Sequence, residues 1–134
     1  MNGRTNLAEL FFQAGGRLSR TPFLVCAALL IGLAAVYEAA VSPALHWITG
    51  WAVYPGLIYC GACVLAKRLH DRGRNGWLAA PILFALVAVW PQPRGFFDFL
   101  FAVLIAWAVV ELGVMPGEMG ANRYGPNPLR LQPA

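Results

Sequence analysis

The chain has 134 residues, of which 59% are hydrophobic and only 12% charged, with a formal net charge of +4. Soluble domains carry about half and about a quarter respectively, and a chain this short cannot hide such an apolar excess in its own interior. A soluble globular domain and a disordered segment are both excluded, and the length suits one polytopic membrane domain. Ten Lys and Arg face six Asp and Glu. They lie at the ends of apolar runs, where membrane sorting explains them and a nucleic-acid surface does not. Cys26, Cys60 and Cys63 all fall inside apolar runs, so no disulfide framework is implied.

Residues 1–16 read as a short interfacial segment, with Asn6 as cap and Glu9 answering it three residues on. Leu7, Leu10 and Phe11 share one face, and Gly15-Gly16 ends the turn. Residues 21–41 form the first membrane helix, opened by Thr21 as cap with Pro22 in the first turn. Its length is close to the ~20 residues a bilayer core requires. That exceeds the ~7–15 apolar residues of a signal peptide, so the run reads as a retained span. Ser42-Pro43 turns the chain into a second helix, 47–66, where Pro55-Gly56 predicts a kink. A polar stretch from Lys67 to Gly76 follows.

The third run, 77–90, is short and either spans or re-enters; tryptophan at both ends suits two interfaces. Pro91 to Gly95 makes a turn, 96–115 is the fourth run, and 116–134 is a polar tail. The expected fold is therefore an all-α membrane protein, a four-transmembrane-helix bundle with an N-terminal interfacial helix and an ordered C-terminal loop. With four spans, nine Lys and Arg lie on one side and only Arg94 on the other. That bias makes both termini cytoplasmic.

Three basic clusters then share one side: Arg17-Leu18-Ser19-Arg20, the Lys67–Arg74 loop, and Asn122-Arg123-Tyr124-Gly125. Gly16-Arg17-Leu18-Ser19-Arg20, Lys67-Arg68-Leu69-His70-Asp71 running into Asn75-Gly76-Trp77, and Gly120 to Pro128 resemble the YhaH-like family of small bacterial inner-membrane proteins, domain of unknown function 805. The likeness covers about residues 10–128. Two departures are visible. Thr21-Pro22-Phe23-Leu24 keeps only one of the aromatics that commonly follow Ser-Arg, and Arg74-Asn75-Gly76-Trp77 stands where Lys/Arg-Ser-Gly-Trp is usual. The resemblance implies an inner-membrane address and a several-span helical fold, and it brings no reaction.

The candidate site is Arg17, Ser19, Arg20, Arg68, His70, Asp71, Asn122, Arg123 and Tyr124. One reading makes Asp71 a latch that neutralises arginines of the first and last motifs. A second has the arginines and His70 receive anionic lipid headgroups, or a protein partner, without catalysis. A membrane-embedded enzyme acting on phosphorylated lipid would use His70 and Asp71. These two cannot pair while both are helical, because neighbours point about 100° apart.

Glu111, deep in the fourth run, and Glu38 are the intramembrane acids, and a small oligomeric transporter or channel would use both. Arg94 and Asp98 form an interfacial charge couple, and Glu118 partners local arginines. No metal or cofactor is expected. His46 and His70 fall on opposite sides, and Cys60-Gly61-Ala62-Cys63 reads as close helix packing. The partners expected are membrane lipids, a second copy or another membrane protein, and no nucleic acid.

Overall fold

The computed structural model describes residues 7–89 and 94–130. The expected Asn6 cap, Trp90, most of the Pro91–Gly95 turn and residues 131–134 lie outside the described residues. Five helices follow in order, and no strand occurs among the described residues. They are α1 Leu7–Phe12, α2 Arg20–Ala40, α3 Pro43–Asp71, α4 Ala79–Val89 behind a 3-10 turn Gly76–Leu78, and α5 Phe96–Ala108. A π-helical end, Val109–Val114, continues α5.

Local chemistry accounts for the boundaries, and corrects two of them. Ser19 rather than Thr21 precedes the first turn of α2, its carbonyl accepting from Phe23 N at 3.1 Å. Pro22 still sits in the first turn, where its missing N–H costs nothing. The helix expected over 47–66 instead runs Pro43–Asp71. It starts early because Ser42 Oγ accepts from Leu45 N at 3.4 Å and Pro43 occupies the first helical position.

The same helix ends late because its stop signal is Gly73, at φ +74°. Gly73 N donates to His70 O at 3.0 Å and Arg74 N to Leu69 O at 2.8 Å, the two bonds of a Schellman motif. The motif segment Lys67–Asp71 is thus helical and lies mostly inside the protein. The helix passes through Pro55 without ending. Asn75 Oδ1 then accepts from Trp77 N at 3.0 Å and starts the next helix.

Among the described residues three helices are long and apolar enough to cross a membrane: Arg20–Ala40, Pro43–Asp71 and Phe96–Val114. The Gly76–Val89 helix is shorter. Packing is uneven along them. The buried cluster of Leu18, Phe23, Cys26, Val64, Leu69, Ala79, Ile82, Ala108 and Leu112 lies where α2 and α4 begin and α3 and α5 end. By contrast, only 11% of the most apolar stretch of α2, and the same share of α3, is buried within the chain. The core is at one end of the bundle, and that end carries the motifs. Gly61 is also buried, and a Cβ there would stand 3.4 Å from Leu83 Cδ2 of α4, so the small-residue stretch Cys60–Cys63 serves helix packing there.

Candidate functional site

The site is built on backbone carbonyls. The last four carbonyls of any helix lack intrahelical donors. In the π-helical end the shortage is worse: Met115 N donates to Val110 O at 3.1 Å, and the ladder cannot go on because the next residue, Pro116, has no N–H. Arginines supply the missing donors. Arg68 Nε donates to Leu112 O at 2.6 Å and Arg68 Nη2 to Met115 O at 2.7 Å. Arg20 donates to Val114 O at 2.8 Å and Arg72 to Pro116 O at 2.5 Å. Cations at a helix C-terminus also oppose the negative end of its dipole. The chain beyond α5 is held in the same way. Arg17 Nη1 donates to Gly120 O at 2.7 Å and Arg17 Nη2 to Glu118 O at 2.6 Å.

Two carboxylates balance these buried cations. Asp71 accepts from Arg17 at 3.1 Å and pairs with Arg68 one turn back on its own helix. The Arg68 side chain is 0% exposed and Asp71 4%. A buried pair is stable only when its remaining hydrogen-bonding groups are met. Here the guanidinium finds two carbonyls of the α5 end and Leu18 O besides the carboxylate. Glu111 Oε1 accepts from Arg72 at 2.9 Å and from Arg74 at 2.8 Å. No buried side-chain nitrogen or oxygen among the described residues is left without a partner.

Close approach makes this possible at Gly117, where a Cβ would collide with the Asp71 carboxylate. The tail therefore runs directly under α3, with Glu118 N donating to Asp71 O at 2.8 Å. Asn122 Nδ2 donates to His70 O at 2.9 Å and to Glu118 Oε2 at 2.8 Å. His70 stacks on Tyr124 with ring centroids 3.8 Å apart and planes 8° from parallel, and its Nδ1 donates to Gly16 O at 2.9 Å. Arg123 lies over the outer aromatic, 4.8 Å from the Tyr124 centroid. Lys67, on the other flank, donates to Glu9 O and, at 3.0 Å, to Leu10 O, fixing the end of α1 to α3.

All nine residues that the sequence singled out for the basic layer therefore meet in one place, though not all in the expected partnerships. Arg123 does not reach Asp71; Arg17 and Arg68 already occupy both carboxylate oxygens, and Tyr124 receives the Arg123 guanidinium instead. The Glu118 carboxylate serves Asn122, and it is the Glu118 backbone that takes Arg17. Ser19 is buried and opens α2, with no side-chain cap bond. His70 and Asp71 face different partners from one helix.

Glu111 joins the arginine network, while Glu38 belongs to a separate group at the other end of α2. There His46 Nε2 bonds Glu38 Oε1 at 2.9 Å and Tyr54 Oη at 3.3 Å, and Tyr37 Oη bonds Thr49 at 2.7 Å. Asp98 meets Arg94 through the backbone, accepting from Arg94 N at 2.9 Å. Among the described residues no three of His, Cys, Asp and Glu gather as a metal site requires. The sequence put Lys67, Arg72 and Arg74 in its middle basic cluster but gave none of them a place among the site residues. The clue for Arg72 was Pro116, which announces unmet carbonyls at the end of α5.

An all-helical chain with three helices fit to cross a membrane and an arginine-sealed polar end is the class defined so far. A family described as "Protein of unknown function (DUF805)" matches residues 11–126, and the chain belongs to it. "Uncharacterized protein YiiR" of Escherichia coli (strain K12) is 29% identical over 130 residues, covering 89% of this chain and 88% of that protein. The protein of the same description from Escherichia coli O157:H7 gives the same figures. No solved structure matches the chain.

Proposed function

We propose that the protein is a non-enzymatic component of the bacterial inner membrane that holds anionic lipid headgroups at its motif end. The observation that carries this reading is the charge left over after internal pairing. Among the described residues, that end gathers seven Lys and Arg (Arg17, Arg20, Lys67, Arg68, Arg72, Arg74 and Arg123) against four carboxylates, Glu9, Asp71, Glu111 and Glu118. Arg17 and Arg68 are spent inside. Arg20 and Arg123 stand on the rim without a carboxylate, and Arg74 is half exposed. Rim guanidiniums beside an aromatic edge suit phosphate at a membrane surface.

In this reading residues 1–134 form one polytopic domain, and four helices cross, both ends being cytoplasmic. The nine-to-one distribution of Lys and Arg supports that orientation. The 14-residue apolar helix Gly76–Val89 is about 21 Å long. It crosses a core of about 30 Å only with local thinning or help from its flanks. Exposed Trp77 marks one of those flanks.

The test is lipid retention by the purified full chain in native mass spectrometry. We expect dioleoyl phosphatidylglycerol to be retained over dioleoyl phosphatidylcholine, and a triple Arg20→Gln, Arg74→Gln, Arg123→Gln variant to lose that preference while remaining folded. Equal retention of the two lipids by the unaltered chain would remove the proposal.

A further inference from the structure

A cavity of 760 Å³ opens between α3 and α4 and takes no part in the arginine network. Its size falls within the about 300–1,000 Å³ of small-molecule sites. Ile58, Ala62, Leu83 and Phe84 give it an apolar wall, while His70 and Asn75 stand at its polar end.

The chemistry of that end is set by His70. Its Nδ1 bonds Gly16 O. A carbonyl only accepts, so Nδ1 carries the proton and Nε2 of the neutral ring remains an acceptor. No protein donor reaches Nε2 among the described residues. Gly76 keeps this edge open, since a Cβ there would stand 2.7 Å from Nε2. Trp77 beside it is 82% exposed, as an indole at a membrane interface would be. Positive charge lies close by, because Tyr124 stacks on the His70 ring and carries the Arg123 guanidinium on its own ring.

We infer that this cavity binds one glycerophospholipid whose headgroup carries both a phosphate charge and a free hydroxyl. The acyl chain occupies the apolar wall, the hydroxyl donates to His70 Nε2, and the phosphate lies toward Arg123. An acceptor at the end of an apolar cavity selects a donor on the ligand, and Arg123, outside the cavity wall but joined to His70 through the Tyr124 ring, favours an anion. A zwitterionic choline headgroup offers neither the donor nor the net charge. The inference rests on the reading of this end as a surface for anionic headgroups, and adds to it a location and a headgroup chemistry.

The experiment titrates the purified full chain with three dioleoyl lipids in native mass spectrometry: phosphatidylglycerol, phosphatidylmethanol and phosphatidylcholine. Phosphatidylmethanol keeps the charge and lacks the hydroxyl. We expect phosphatidylglycerol to bind about three- to tenfold more tightly than phosphatidylmethanol, the worth of one hydrogen bond. Ala80→Trp fills the cavity from an exposed position on its wall and should abolish the difference. Arg123→Gln should weaken both anionic lipids while keeping the ratio between them.

Equal binding of the two anionic lipids overturns the assignment of His70. An Ala80→Trp variant with unaltered binding overturns the cavity. If Ala80→Trp changes the oligomeric state and leaves lipid binding intact, a second copy is the occupant and the proposal falls. Loss of all preference over phosphatidylcholine in the unaltered chain defeats the broader surface reading, whereas an anionic preference indifferent to the hydroxyl and to Ala80→Trp defeats only the cavity.

Discussion

The two ends of α2 hold polar clusters of opposite construction. At Arg20 the helix enters a network in which Arg68 is wholly buried and Arg17, Arg20, Arg68, Arg72 and Arg74 each meet a carbonyl, a carboxylate or both. At Ala40, about 30 Å away along a 21-residue helix, Glu38 and His46 form a pair whose side chains are 38% and 34% exposed. The far pair joins two helices linked by a two-residue turn, Val41-Ser42. The near network joins segments more than a hundred residues apart, as in Arg17 with Gly120. Burial and chain separation, more than the presence of charge, decide which cluster holds the fold.

This contrast is open to measurement by unfolding the protein in mixed micelles. The largest effect should come from Arg68→Met, which strips donors from Leu112 and Met115 and leaves Asp71 with a single cation. A loss of about 3–5 kcal/mol is expected for breaking a buried pair, and a loss below about 1 kcal/mol would break the carbonyl-capping account. Gly117→Ala comes next, at about 1–3 kcal/mol, because its methyl group needs the space of the Asp71 carboxylate. A neutral result there would mean that the tail does not run beneath α3. Glu111→Gln should cost about 1–2 kcal/mol by unbalancing Arg72 and Arg74. Glu38→Gln should cost under about 1 kcal/mol, as exposed pairs do. A reversal of those last two would put the anchor at the wrong end.

The sequence carried the near end well in outline. The three motifs each combine arginine with turn-forming or polar residues, and such residues in an apolar chain have few places to go but one shared layer. Asp71 was therefore readable as a common acid. Its actual partners, Arg17 and Arg68 rather than Arg123, were not. That choice depends on Asp71 being helical, which places Arg68 one turn behind it, and the helix extends that far only because the Schellman stop is at Gly73. Hydropathy ended the helix near residue 66, where the apolar run stops, since periodicity cannot show that charged residues will be enclosed. The carbonyl partners were hidden for a different reason. Backbone acceptors have no sequence letter, and only a proline such as Pro116 betrays where one will be left unmet. At the far end the Glu38–His46 pair was missed because it bridges two runs that were read separately.

The chemistry that closes the near end has an order in time. Asp71 and Leu18 can meet Arg17 and Arg68 as soon as the first half of the chain exists, yet most of the carbonyls these guanidiniums donate to lie between Leu112 and Gly125. Until the ribosome has released that last stretch, the remaining N–H groups of both must stay hydrated or borrow other acceptors, so neither can settle at its final depth. The bundle is therefore sealed from its carboxyl terminus backwards, and a chain cut short before Leu112 would lack its keystone however well its earlier helices had inserted.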